Sequence, residues 1–63
     1  MRLSDFWERM DALLGESYSR SWADDVVLPP LGVTVNEAIA HGVETHVIWR
    51  AVGSVVEVPS LLK

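Results

Sequence analysis

Cysteine is absent from this chain, which removes disulfide scaffolds, thiolate zinc sites, iron–sulfur clusters and cysteine nucleophiles together. A reducing cytoplasm is the compartment that fits. Basic residues are scarce, five against nine acidic ones spread along the chain, and the net charge of -4 repels a polyanion on average. No apolar stretch approaches the ~20 residues of a membrane span. Met1 leads at once into an amphipathic pattern carrying Asp5 and Glu8, without the charged and apolar regions of a signal peptide. A glycine-rich phosphate loop is missing, and Ser4, Ser17, Ser19, Ser21, Ser54 and Ser60 all lack the setting of a nucleophile elbow. Internal repeats, low-complexity tracts and linkers are lacking too, apart from the tail after Val58.

What is present is enough apolar material for one core. The 63 residues, 49% hydrophobic and 22% charged, lie far from the composition of disorder and are expected to form a single helical domain over residues 1 to 63. At 0.05 to 0.15 kcal/mol per residue its stability is only about 3 to 9 kcal/mol, which leaves room for a partner or self-association to add to it.

From Ser4 to Leu14 the apolar residues Phe6, Trp7, Met10, Leu13 and Leu14 form one stripe of a 3.6-residue helix, with Asp5, Glu8, Arg9 and Asp11 on the other face. Ser4 is placed to cap its start and Gly15 to take a left-handed stop. Tyr18, Trp22 and Val26 recur every four residues, flanked by Ala23 and Val27, and predict a second helix over 17 to 28 that Pro29-Pro30 ends. Trp22, at its middle, belongs in the core. Leu31-Gly32 completes a short corner. Thr34 with Glu37 makes a capping box, Val33 with Ala38 a hydrophobic staple, and Gly42 stops a short third helix whose Ala38 and Ile39 face inward. A fourth helix starts near Glu44 or Thr45, buries Val47, Ile48, Ala51, Val52, Val55 and Val56, and runs to Pro59. Its β-branched residues leave a strand over 55 to 58 as the alternative. The expected fold class is all-α, a compact bundle of three to four short helices with the last two as a helix-turn-helix-like hairpin.

Little in this pattern is catalytic. His41 and His46 straddle the break between the last two helices and do not share a face as an i, i+4 zinc pair does. Glu37 and His41 do share one, but a third ligand is missing, so solvated imidazoles are expected rather than a metal site. Asp24-Asp25, or Asp11 with Glu8, would work as paired carboxylates only inside a cleft that shifts their pKa values, and short helices offer little cleft. No catalytic residue, cofactor or metal is therefore expected. Three tryptophans exceed what a minimal core requires. Trp7 and Trp22 lie on inward stripes, whereas Trp49 sits beside the stripe of the fourth helix and next to Arg50. Trp49, Arg50 and His46 are accordingly the candidate partner-binding residues.

Counting Thr34 as position one, Ala38 falls at five, Gly42 at nine, Val43 at ten, Ile48 at fifteen and Ala51 at eighteen, the small and apolar pattern of a helix-turn-helix. Its recognition helix would expose Glu44, Thr45, His46, Trp49 and Arg50. Glu37 and His41 stand at positions four and eight, where the motif prefers apolar residues, and 33 to 53 holds one Arg against two Glu, the wrong charge for phosphate contact. A generic helical hairpin uses the same residues.

The opening Met1-Arg2-Leu3-Ser4-Asp5-Phe6-Trp7 with Met10, then Tyr18 and Ser21 to Val27, Leu31-Gly32 with Thr34 and Glu37-Ala38, Gly42, and Trp49-Arg50-Ala51 followed by Val58-Pro59, together resemble the short actinobacterial proteins of domain of unknown function family 3046. The resemblance covers nearly the whole chain and implies an actinobacterial, cytoplasmic protein with a contextual tie to DNA metabolism. It assigns no activity and no site residues. Where relatives often carry cysteine this chain has Gly53, so no thiol role transfers. The expectation is a non-enzymatic protein-interaction domain without cofactors, whose partner is another protein or a second copy of itself, with no membrane and with nucleic acid disfavoured. The alternative is a degenerate helix-turn-helix nucleic-acid-binding protein.

Overall fold

The amphipathic stripe at the start of the chain folds as a helix: in the computed structural model, which describes residues 1–59, α1 spans Leu3–Leu14 and buries Phe6 and Met10. Its capping position is Arg2, two residues before the expected Ser4. The Arg2 backbone N–H donates to Asp5 Oδ2 over 3.4 Å, and Ser4 stays exposed on the first turn. Gly15, at φ 92°, both closes α1 and opens α2 (Glu16–Asp25), donating its amide to Asp11 and accepting from Ser19. A single linking residue folds α2 back on α1. Fully buried Ser19 then donates its hydroxyl to the Asp11 carboxylate, while Arg20 pairs with Asp11 at 3.8 Å and lies 3.9 Å over the Trp7 ring.

That arrangement shifts the buried stripe of α2 to Ser19, Trp22 and Ala23, in place of the expected Tyr18, Trp22 and Val26. Tyr18 is 58% exposed. A small residue at 19 lets the two helices approach, and its hydroxyl is satisfied locally, so a polar side chain takes the inward position that hydropathy awards to tyrosine. The helix also stops at Asp25, short of residue 28. Val26 is extended, and Val27–Leu28 (β1) pairs antiparallel with Val33–Thr34 (β2), Val27 opposite Thr34 and Leu28 opposite Val33. Two valines favour extended backbone, and Leu28 precedes a proline whose ring excludes the helical region, so Pro29 acts upstream of itself. The turn from Pro29 closes at Gly32, where φ is 71°.

Helix α3 (Val35–Ala40) carries the expected capping box: the Glu37 N–H donates to Thr34 Oγ1 at 3.2 Å, and the Thr34 N–H donates to Glu37 Oε1 at 3.0 Å. The Thr34 backbone bond first, then the Thr34 side chain and the nearby His41, hold the Glu37 carboxyl below its ordinary value of 4.5. A lowered folded-state value means that ionised Glu37 contributes stability fully above the unfolded-chain value, and that this is lost as pH falls through the folded one. The melting temperature of the wild type should therefore exceed that of Glu37→Gln near neutral pH, and the two should converge as the pH falls below the ordinary glutamate value and through the lowered one. Thermal melts across an acid titration check this; a gap unchanged at low pH would assign the effect to cap geometry rather than charge. At the other end Gly42 takes φ 81°, its amide bonded to Ile39 and that of Val43 to Ala38, the two bonds by which a left-handed glycine closes a helix.

Helix α4 (Thr45–Gly53) buries Ile48, Trp49, Ala51 and Val52. It ends well before Pro59, so 55 to 58 is neither the helix nor the strand expected. The Ser54 hydroxyl donates to the Ala51 carbonyl at 2.6 Å, competing with the helical ladder; β-branched Val55 and Val56 follow, and Val58 precedes proline. The chain turns back instead. Val58 becomes buried beside Gly53, with its Cγ2 3.6 Å from where a Cβ on that glycine would stand, whereas Val55 is left 42% exposed. The tail from Ser60 onward lies outside the described residues.

One hydrophobic cluster, including Phe6, Met10, Trp22, Leu28, Val35, Ile48 and Val52, joins all the helices and the hairpin. Both staple residues belong to it, Ala38 fully buried and Val33 at its edge. The all-α bundle of four helices thus holds among the described residues, with a two-residue β-hairpin added between α2 and α3. Among those residues no helix is long and apolar enough to cross a membrane.

Candidate interaction surface

Burying four residues of α4 leaves His46, Arg50 and Gly53 as one outward face at i, i+4 and i+7. Opposite it, α1 presents half-buried Arg9, and the turn after Gly53 brings up Glu57 and Val58. With Met1 and the rim of Trp49, these residues line an open groove of about 600 Å³. The structure thereby brings Trp49, Arg50 and His46 together on a single surface. Arg50 stands on a ridge, since it also borders a smaller depression of about 310 Å³ formed with Pro30, Leu31, Val47, Ala51 and Ser54.

Trp49 is not the surface residue the sequence suggests. It is 8% exposed and lies edge-on to Phe6, centroids 6.1 Å apart and rings at 89°, so it forms the floor of the groove and shows only a rim. The buried arc of α4 is wide because α1 packs on one side of it and α3 on the other. A stripe drawn for one neighbour leaves out the second. Arg9 was hidden for a related reason: it lies on the polar side of the α1 stripe, yet it sits beside Met10, where the flank of the stripe meets the segment following α4. Glu57 depends on the turn after Gly53, which no periodicity signals.

The groove differs in charge from the rest of the molecule. Two of the chain's arginines line it, against Glu57 alone of its nine acidic residues. Among the described residues the ion pairs are Arg20 with Asp11 and His46 with Glu44; Arg9 and Arg50 join neither. The His46 Nδ1 to Glu44 Oε2 contact, at 3.3 Å, joins two exposed side chains, and such pairs are worth about 0–1 kcal/mol.

The other constellations stay apart from this surface. Glu37 is engaged in its cap, Asp11 holds Ser19, and Asp24 accepts from Asn36 at 3.5 Å. Among the described residues no three His, Asp or Glu side chains gather as a metal site does. The helical hairpin forms as the spacing indicates, with Ala38 and Ile48 fully buried, Ala51 3% exposed and Gly42 left-handed. Of the residues expected on its recognition face, Trp49 is buried and Thr45 is half-buried with its hydroxyl donating to the Met1 carbonyl, which leaves Glu44, His46 and Arg50 exposed.

The family model described as "Protein of unknown function (DUF3046)" matches residues 1–61, and the chain belongs to that family. No curated protein and no solved structure gives a significant match.

Proposed function

We propose that this member of the DUF3046 family is a non-enzymatic, cytoplasmic protein-interaction domain that receives its partner in the α1–α4 groove. The observation that carries this is the convergence of Arg9, His46 and Arg50 over the Trp49 floor in one open concavity of about 600 Å³. Arginine is among the residue types in which binding energy at protein interfaces concentrates. A cysteine-free composition supports the cytoplasm. Affinity capture from the native cytoplasm with the wild type and with Arg50→Gln tests the proposal. Arg50 is exposed, so the variant should melt within a few degrees of the parent while losing the specific partner. Partners retained in full by both Arg9→Gln and Arg50→Gln would exclude the groove as the contact surface.

The second function, a degenerate helix-turn-helix DNA binder, is favoured by α3, the Gly42 turn and α4 lying in that order with Ala38, Ile48 and Ala51 buried and Val43 partly so. Charge opposes it. Glu44 stands at the start of α4, and Arg50 alone on that helix offers a strong phosphate or guanine contact in a chain of net charge -4. No duplex binding is expected at physiological salt. Fluorescence anisotropy with random and genomic duplexes reads this directly: dissociation constants below about 1 μM that weaken steeply with salt, and vanish in Arg50→Gln, would reverse the order of the two functions.

A further inference from the structure

Resting on the groove as the interaction surface, we propose that its occupant is an acidic peptide segment of a partner protein, in which an apolar side chain is flanked by aspartate or glutamate. Charge complementarity carries the inference. In a chain with nine acids and five bases, this one concavity collects Arg9 and Arg50 against a single carboxylate, Glu57. Arg20, by contrast, is committed to Asp11 and to the face of Trp7. Arginine that meets no described carboxylate keeps its planar fork of donors for an incoming one, and the fork matches carboxylate geometry two bonds at a time.

The groove is not purely polar, and this selects a peptide over a simple anion. Met1, the Trp49 rim, Val58 and the side-chain-free surface of Gly53 give it an apolar stretch beside the two guanidinium groups. A peptide can place an aliphatic side chain there and carboxylates on either flank, whereas a phosphodiester backbone has nothing apolar to offer that stretch. The net charge of the whole molecule opposes an acidic ligand weakly. At physiological ionic strength charges further off than the ~8 Å screening length are damped, while contacts inside the groove are not. Glu57 is the carboxylate in the lining that works against such a ligand, while Glu44 stands behind His46 at 3.3 Å, so removal of Glu57 is the sharpest test.

The experiment is a titration of a fluorescein-labelled decapeptide in which leucine alternates with glutamate, alongside the same peptide with glutamine for glutamate, a lysine counterpart and a 20-base-pair duplex. The acidic peptide should bind, and the glutamine, lysine and duplex probes should bind at least tenfold more weakly. Arg50→Gln should weaken the acidic peptide at least tenfold. Glu57→Gln should tighten it severalfold, whereas Asp25→Asn, the same change of net charge on exposed α2, should not. Melting temperatures identify any variant that is merely unfolded, and the gain expected of Glu57→Gln cannot arise from unfolding. Indifference of the acidic peptide to both Arg50→Gln and Glu57→Gln, no binding at all, or tighter binding of the duplex or of the lysine peptide would each overturn the proposal. Arg50-dependent capture of a partner, with no binding of the acidic peptide, would leave the groove as the interaction surface and remove only the acidic class. Capture independent of Arg9 and Arg50 would remove both.

Discussion

Trp22→Ala is expected to abolish cooperative folding at physiological temperature. Trp22 is 7% exposed in the middle of α2, which packs on α1, α3 and β2, so the indole belongs to the cluster that holds the helices and the hairpin together. Truncating a buried tryptophan costs about 3–5 kcal/mol, and a domain of this length has only about 3–9 kcal/mol in total. The melting temperature should fall by 12 °C or more even where a transition survives, at about 4–8 °C per kcal/mol for a small domain. Neighbours cannot collapse far into the space, because Ser19 and Ala23 on the same face are small and already fully buried. Circular dichroism melts of the variant and its parent decide the matter; midpoints within a few degrees of each other would mean that Trp22 faces solvent.

The sequence shows most clearly those features in which one residue type satisfies one local demand. Thr34 with Glu37, and Gly42, are legible because a cap and a left-handed stop are made by neighbours in the chain, and the structure forms both. The amphipathic stripe of α1 is legible for the same reason. Where the outcome rests on a partner distant in sequence, the local signal misleads. Val26 to Leu28 have the spacing of helix, but the local preference of the valines and of Leu28 before Pro29 for extended backbone is completed by the pairing of Val27–Leu28 with Val33–Thr34, which no window on the second helix contains. Ser19 takes the inward place expected of Tyr18 with its hydroxyl bonded both to Asp11 on α1 and to the Glu16 carbonyl, and the Asp11 contact depends on how α2 folds back on α1. The turn after Gly53 removes Val55 from the core and adds Val58, which brings Glu57 to the groove. His46 and Arg50 could be named from sequence because they share the exposed face of one helix. Arg9 and Glu57 could not, since they reach that face from elements whose placement is tertiary.

Trp49→Ala is expected to behave like the Trp22 change, and not like the loss of a surface anchor. A partner-binding tryptophan on an exposed face would be removed with little change in melting temperature. Trp49 is 8% exposed, meets Phe6 edge-on at 6.1 Å, and sits between α1 and α4, so its truncation should cost about 3–5 kcal/mol and lower the midpoint by more than 12 °C. Phe6 has its other edge-on contact with Trp7, at 5.4 Å, so losing Trp49 unseats a ring that also orders α1. The coupling is measurable: Phe6→Leu, Trp49→Leu and the double variant should show an interaction of about 0.5–1.5 kcal/mol beyond the sum of burial effects. Additive single effects would remove the Phe6–Trp49 coupling, and an unchanged midpoint in Trp49→Ala would place the indole outside the core. The consequence for function is direct. Loss of a partner in Trp49→Ala would report unfolding as readily as lost contact, so the chemistry of the groove has to be read from Arg50 and Glu57, whose side chains are exposed and whose charges predict opposite outcomes.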